Sequence, residues 1–176
     1  MHVFGSSGVR GVANEELTPA DVLQIVQAAG SVFEDGPVAV ARDTRTSGEM
    51  LANAAASGLA SVGHDVALLG EVPTPALQAH CERAGTPGVM ITASHNPPAY
   101  NGVKLIGADG VELSRATLDR IEDRLASDDA DTVTWDEVGQ TERIDGTAED
   151  YIAGVLDAVD RETIAAADLT VVVAPG

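Results

Sequence analysis

Gly88-Val89-Met90-Ile91-Thr92-Ala93-Ser94-His95-Asn96-Pro97-Pro98-Ala99-Tyr100-Asn101-Gly102-Val103-Lys104 runs from a short apolar segment through a polar, proline-stiffened excursion and back to an apolar one. Gly88 to Thr92 has the composition of a buried strand, and Val103 to Ile106 that of a further one. The polar run therefore starts at the carboxyl end of a strand, where open α/β sheets place their ligands. Pro97 and Pro98 restrict the backbone, and Asn101-Gly102 is expected to form a turn compatible with positive φ. Ser94 and Lys104 are then held in one rigid excursion.

Working outward, strands alternate with helices. Thr18-Pro19-Ala20-Asp21 is a helix start, with a hydroxyl cap, proline at the first position and a carboxylate in the first turn. Val22, Ile25, Val26, Ala29 and Phe33 follow at helical spacing. Pro37 to Ala41 and Asp65 to Leu69 are expected strands, with an alanine-rich helix from Ser47 to Val62 between them. Thr74-Pro75 opens a helix to about Arg83, and Ser114 to Ala126 forms another, with Leu118, Ile121 and Leu125 on one face. This alternation predicts a layered α/β domain with a largely parallel sheet. A polar stretch, Ser127 to Thr134, reads as a surface loop. Thr147-Ala148-Glu149-Asp150 is expected to cap a last helix that buries Ile152, Val155, Leu156 and Val159. Leu169 to Ala174 reads as a fully buried strand just before Pro175-Gly176, so the chain is expected to be the front portion of something longer.

Composition narrows the function classes. The 176 residues are 44% apolar, enough for one sizeable core, and the longest wholly apolar runs are far too short to span a bilayer. The first residues carry neither a basic leader nor an apolar run before a cleavage site, so a cytoplasmic location is expected. Cys81 is the single cysteine, which excludes a disulfide framework. Twenty-eight acidic residues against ten basic ones give a net charge of −18, which argues against a nucleic-acid partner. Nine of the ten basic residues are arginine and Lys104 is the only lysine, a balance that suggests a salt-loving host.

Against that acidity, Arg83 to Ala108 contains no Asp or Glu in 26 residues, where the chain average predicts about four. No other acid-free stretch exceeds 15 residues. A buried strand explains the gap over Gly88 to Thr92; the polar run after it suggests a place where negative charge is bound. From the residues alone, Ser94 could also be an ordinary turn hydroxyl and Lys104 a solvated surface lysine. Arg10 could close a loop onto a carboxylate, and Arg42 and Arg45 are expected to brace the domain through Asp43 or other acids. No Gly-x-Ser-x-Gly elbow and no Gly-x-x-x-x-Gly-Lys-Ser/Thr phosphate loop is present, which argues against a serine hydrolase and a P-loop kinase. His2, His64 and His80 show no metal-ligand spacing.

The run from Gly88 to Lys104 resembles the active loop of the α-D-phosphohexomutases nearly residue for residue. Three weaker motifs follow the family's order: Phe4-Gly5-Ser6-Ser7-Gly8-Val9-Arg10-Gly11, with Ser6 where threonine is commoner; Arg42-Asp43-Thr44-Arg45-Thr46-Ser47-Gly48, with Ala41 replacing a usual glycine; and Pro73-Thr74-Pro75-Ala76-Leu77. The resemblance implies a three-layer α/β/α sandwich with a mostly parallel mixed sheet over residues 1–143, and over residues 144–176 a linker helix and the first strand of an incomplete second domain. It implies an intramolecular phosphotransferase, an isomerase of carbohydrate metabolism that interconverts hexose 6-phosphate and hexose 1-phosphate through a phosphoserine and a hexose 1,6-bisphosphate. Ser94 would carry the phosphoryl group, Lys104 would be the general acid/base, Arg10 would lie near the transferring phosphate, and His95 would orient the phosphoserine. Magnesium would bind Ser94 through its phosphate together with three aspartates of an Asp-x-Asp-x-Asp motif that does not occur here, so the missing C-terminal domains are implied partners. Thr92 favours the glucose and mannose mutases over the glucosamine mutases. The other readings are a phosphoglucosamine mutase fragment, or a noncatalytic or vestigial phosphate-binding module.

Overall fold

The computed structural model describes residues 4–5, 8–34, 36–127 and 131–174. Ser6 and Ser7 of the first motif, residues 128–130 of the expected surface loop, and Pro175-Gly176 lie outside them. Six strands form one sheet: β1 (Val9–Val12), β2 (Val38–Arg42), β3 (Val66–Glu71), β4 (Gly88–Ile91), β5 (Tyr100–Ile106) and β6 (Thr141–Arg143), in the order β1-β5-β4-β2-β3-β6. β2 runs parallel to β3 and β4, and β3 parallel to β6; β5 is antiparallel to both β4 and β1. The sheet is mixed and mostly parallel, as expected.

Its two faces are covered separately, giving three layers. On one side α1 (Pro19–Gly30), α2 (Gly48–Ser61) and α4 (Arg115–Ser127) bury Val22, Val26, Leu51, Leu59 and Ile121 against Val40, Val89, Ile91, Val103 and Leu105. On the other, α3 (Thr74–Ala84) sets Ala76, Leu77 and Cys81 against Ala41, Met90 and Ile106. The strand residues alternate between the two clusters because successive side chains point to opposite faces. Both faces are apolar, which is why β2 and β4 read as continuous hydrophobic runs. Cys81 is wholly buried, and burial pushes its thiol up to about 12.

The expected start of α1 is present as a capping box: the Asp21 amide donates to Thr18 Oγ1 at 3.3 Å and the Thr18 amide to Asp21 Oδ2 at 2.7 Å. At the α1–α2 contact Gly58 is required by closeness, since a Cβ there would lie 2.5 Å from Val26 Cγ2 and 2.8 Å from the Leu23 carbonyl. His64 is a structural residue, its ring nitrogens 2.8 and 2.9 Å from the carbonyl oxygens of Gly36 and Gly30.

Four expectations are corrected. Asn101-Gly102 is no turn; both residues lie inside β5, because the strand extends back to Tyr100 to pair with β1. β1 and β6 were not expected as strands; their backbones pair with sheet edges although their residues carry little strand signal. In α5 (Thr147–Asp157), Thr147 is no cap: Gly146 holds that place in the left-handed region, and Thr147 Oγ1 is buried without a partner among the described residues. The helix also turns a different side to the protein. Thr147 is buried and Tyr151 packs beside α3, whereas Ile152, Val155, Leu156 and Val159 stay exposed. The packed face is rotated about one residue, or about 100°, from the most apolar one. A short α6 (Arg161–Ala166) follows, and Leu169 to Ala174 runs exposed and is not a strand, because no neighbour among the described residues pairs with it.

Candidate active site

β4 ends at Ile91, and the chain then makes a loop before re-entering the sheet as β5 at Tyr100. Thr92 and Ala93 are still buried, while Ser94, His95, Pro97, Pro98 and Ala99 are exposed. Ser94 has φ +52°, in the left-handed region that non-glycine residues seldom occupy. Its amide donates to Thr92 Oγ1 at 3.1 Å, and its hydroxyl lies 3.4 Å from His95 Nδ1, a long contact that leaves the hydroxyl open to solvent.

What holds this conformation comes from another strand. The loop after β2 sets Asp43 and Arg45 beneath the Ser94 segment. Asp43 Oδ2 accepts from Thr92 Oγ1 at 2.6 Å and from Arg45 Nε at 3.1 Å, and Asp43 Oδ1 accepts from the Arg45 amide. Arg45 Nη1 donates to the carbonyls of Pro97 and Tyr100, and Nη2 to those of Ser94 and Asn96, at 2.7 to 2.9 Å. The expected Arg45–Asp43 brace is present, as is one between Arg42 and Glu71 at 2.9 Å. The four carbonyl bonds are what sequence reasoning missed; the spacing of an Arg-Asp-Thr-Arg motif carries no signal for a partner some 50 residues away. Asn101 Nδ2 donates to Ser47 Oγ at 2.9 Å and ties the far end of the loop to the start of α2.

Arg10 reaches the loop from β1. It lies opposite Gly102, and its Nη1 donates to Asn96 Oδ1 at 2.7 Å. Its Nε is buried without a partner, and no carboxylate pairs with it among the described residues. Close approach of β1, β5 and β4 depends on Gly102, where a Cβ would lie 2.6 Å from the Val9 carbonyl, 2.7 Å from that of Thr92 and 2.9 Å from Arg10 Cγ. Arg10, Ser94 and His95 therefore meet at one loop. Lys104 does not touch Ser94: it sits opposite Met90 on β5, and its ammonium pairs with Glu112 at 2.5 Å, beside a cavity of about 340 Å³ also bordered by Phe4, Gly8 and Arg115.

The residues present do not by themselves make a magnesium site. No three His, Cys, Asp or Glu side chains converge among the described residues, and Asp43, the carboxylate hydrogen-bonded within the site, is held by Arg45 and Thr92. The geometry offers an exposed serine hydroxyl on a braced loop also contacted by a guanidinium that pairs with no carboxylate among the described residues, which suits an anion.

Fold and site thus define an α/β/α domain that presents a serine at the carboxyl end of its sheet. A sequence profile for the phosphoglucomutase/phosphomannomutase alpha/beta/alpha domain I matches residues 1–132. Over 170 residues the chain is 43% identical to a phosphoglucomutase/phosphomannomutase of Thermococcus kodakarensis, covering 92% of this chain and 37% of that protein. Over 176 residues it is 40% identical to a phosphoglucosamine/phosphogalactosamine mutase of Sulfurisphaera tokodaii, covering 98% and 39%. In structure it is similar to a phosphoglucomutase/phosphomannomutase family protein of Burkholderia thailandensis, with a TM-score of 0.76 and 29% identity over 90% of this chain and 36% of that one. The chain belongs to the phosphoglucomutase/phosphomannomutase family. It spans under two fifths of the length of these relatives.

Proposed function

We propose that this chain is the phosphoserine-bearing part of a phosphohexomutase that interconverts hexose 6-phosphate and hexose 1-phosphate, with residues 1–143 forming the phosphoserine domain and residues 144–176 leading into a second one. The observation that carries the reading is the exposed Ser94 hydroxyl, presented at left-handed φ by a braced loop that Arg10 reaches, itself paired with no carboxylate among the described residues. A sugar hydroxyl attacks the phosphorus of phosphoserine 94; the phosphorus–oxygen bond to Ser94 breaks as the bond to the sugar forms. Transfer from the other end of the resulting hexose 1,6-bisphosphate restores the phosphoserine. Arg10 holds phosphoryl oxygens, His95 hydrogen-bonds the Ser94 oxygen, and Lys104 exchanges the proton once its ammonium has left Glu112 for the reacting oxygens. Magnesium, if the full-length protein binds it, would supply further charge neutralisation at the serine phosphate; the described residues of this chain bring no cluster of carboxylates to hold it. Among the described residues no helix is long and apolar enough to cross a membrane.

The test is incubation of the full-length protein with glucose 1,6-bisphosphate followed by peptide mass spectrometry, in which one phosphate is expected on Ser94. Phosphate on another residue, or none, would contradict the reading. Turnover of glucose, mannose and glucosamine 1-phosphates, compared side by side, assigns the sugar.

The net charge of −18 with one lysine supports a salt-adapted protein as well. The midpoint of thermal unfolding is expected to rise as potassium chloride goes from about 0.1 M to above 1 M, where the Debye length falls to about 3 Å and carboxylate repulsion is screened. A salt-independent midpoint would refute it.

A further inference from the structure

We propose that Arg45 is a positioning residue for transfer at Ser94, acting entirely through the backbone of the loop; the inference rests on the proposed phosphoserine reading. A guanidinium has five N–H donors in a fixed plane, and here each one has a separate acceptor. Nε donates to Asp43, Nη1 to the carbonyls of Pro97 and Tyr100, and Nη2 to those of Ser94 and Asn96. The loop is wrapped around one cation that is only 11% exposed.

Pulling those four carbonyls onto one point sets the peptide planes on both sides of His95 and the two prolines. Left-handed φ at Ser94 is a conformation that lasts only where its surroundings impose it. The local turn bonds, from the Asn96 amide to the Ala93 carbonyl and from the Tyr100 amide to the Pro97 carbonyl, shape the two halves of the loop. Arg45 is the group that joins the halves, and Asp43 fixes Arg45 while also accepting the Thr92 hydroxyl that receives the Ser94 amide. Turning the carbonyls inward also leaves the outer side of the loop free of their partial negative charge, on the side where the Ser94 hydroxyl is exposed. Lysine keeps the charge of Arg45 but has three donors on one atom, so it cannot span the four carbonyls.

In the full-length protein Arg45→Lys is expected to lower kcat about 100-fold, the scale of a displacement of about 1 Å at a reacting group, with KM for glucose 1-phosphate within about twofold of wild type. Amide exchange at Ser94, Asn96 and Tyr100, the loop amides that are hydrogen-bonded, is expected to speed up about 10-fold or more, with the amides of β2 and β4 unchanged. Wild-type kcat with lysine at position 45 would overturn the proposal, and so would exchange that speeds up equally across the sheet, which marks a general structural role. If Arg45→Lys fails to fold, Asp43→Asn serves: the proposal requires faster loop exchange and a fall in kcat there too, and is overturned if either is unchanged. The exchange measurement needs no turnover, so it stands apart from the serine reading, which the phosphate mapping at Ser94 decides alone.

Discussion

Replacing Ser94 by alanine in the full-length protein is expected to lower turnover of hexose phosphates by at least about 10⁴-fold, the scale seen when a covalent nucleophile is removed. The proposed transfer passes through the Ser94 oxygen, and no other hydroxyl of the described residues stands at that position. Thr92 Oγ1 is buried and donates to Asp43, and the loop has no other serine or threonine. A companion variant separates chemistry from folding. Ser94 occupies φ +52°, a conformation glycine adopts at little cost, and its side chain makes only the long contact to His95. Ser94→Gly is therefore expected to raise stability by up to about 1 kcal/mol while abolishing turnover. Substantial activity in either variant would remove Ser94 from the reaction. An unfolded Ser94→Gly protein would show instead that the hydroxyl serves the fold.

The second large effect is expected at Gly102. A methyl group there would meet the Val9 and Thr92 carbonyl oxygens and Arg10 Cγ, all closer than 3 Å. Two of the three are backbone oxygens, one in β1 and one just after β4, so no rotamer change relieves the clash. Gly102→Ala is expected to destabilise the domain by about 3 kcal/mol, the upper part of the usual range for overpacking. It also displaces the two groups that converge on the loop, Arg10 and Thr92, so activity falls with stability. Chemical denaturation of the variant checks this: a loss below about 0.5 kcal/mol would mean that β1 does not pack across Gly102 as described.

Much of this was legible because the signals are local. A hydroxyl, a proline and a carboxylate in four residues make a helix start, and Thr18 to Asp21 forms the expected capping box. Short apolar runs between helices marked β2, β3 and β4, and the polar excursion after β4 marked the candidate site. The face of α5 was not legible, because amphipathicity records which side is most apolar, not which side meets a neighbour. Thr147 and Tyr151 face the domain because α3 lies on that side, while Ile152 and Val155 do not. β1 and β6 escaped for a related reason: Val9–Val12 and Thr141–Arg143 are strands by virtue of the edges they pair with.

The sequence by itself determined the layered α/β architecture, the family, and Ser94 as the residue to ask about, since each rests on residues close together in the chain. Only the tertiary structure decided how Ser94 is held. The closure of Arg45 over four carbonyls, which holds its left-handed backbone, and the approach of Arg10 across Gly102 both join chain segments that the sheet brings together. Hydrogen bonds and close contacts act over about 3 Å of space whatever the separation in sequence, and for the contacts of Arg10 and Arg45 with the loop that separation is some 50 to 90 residues.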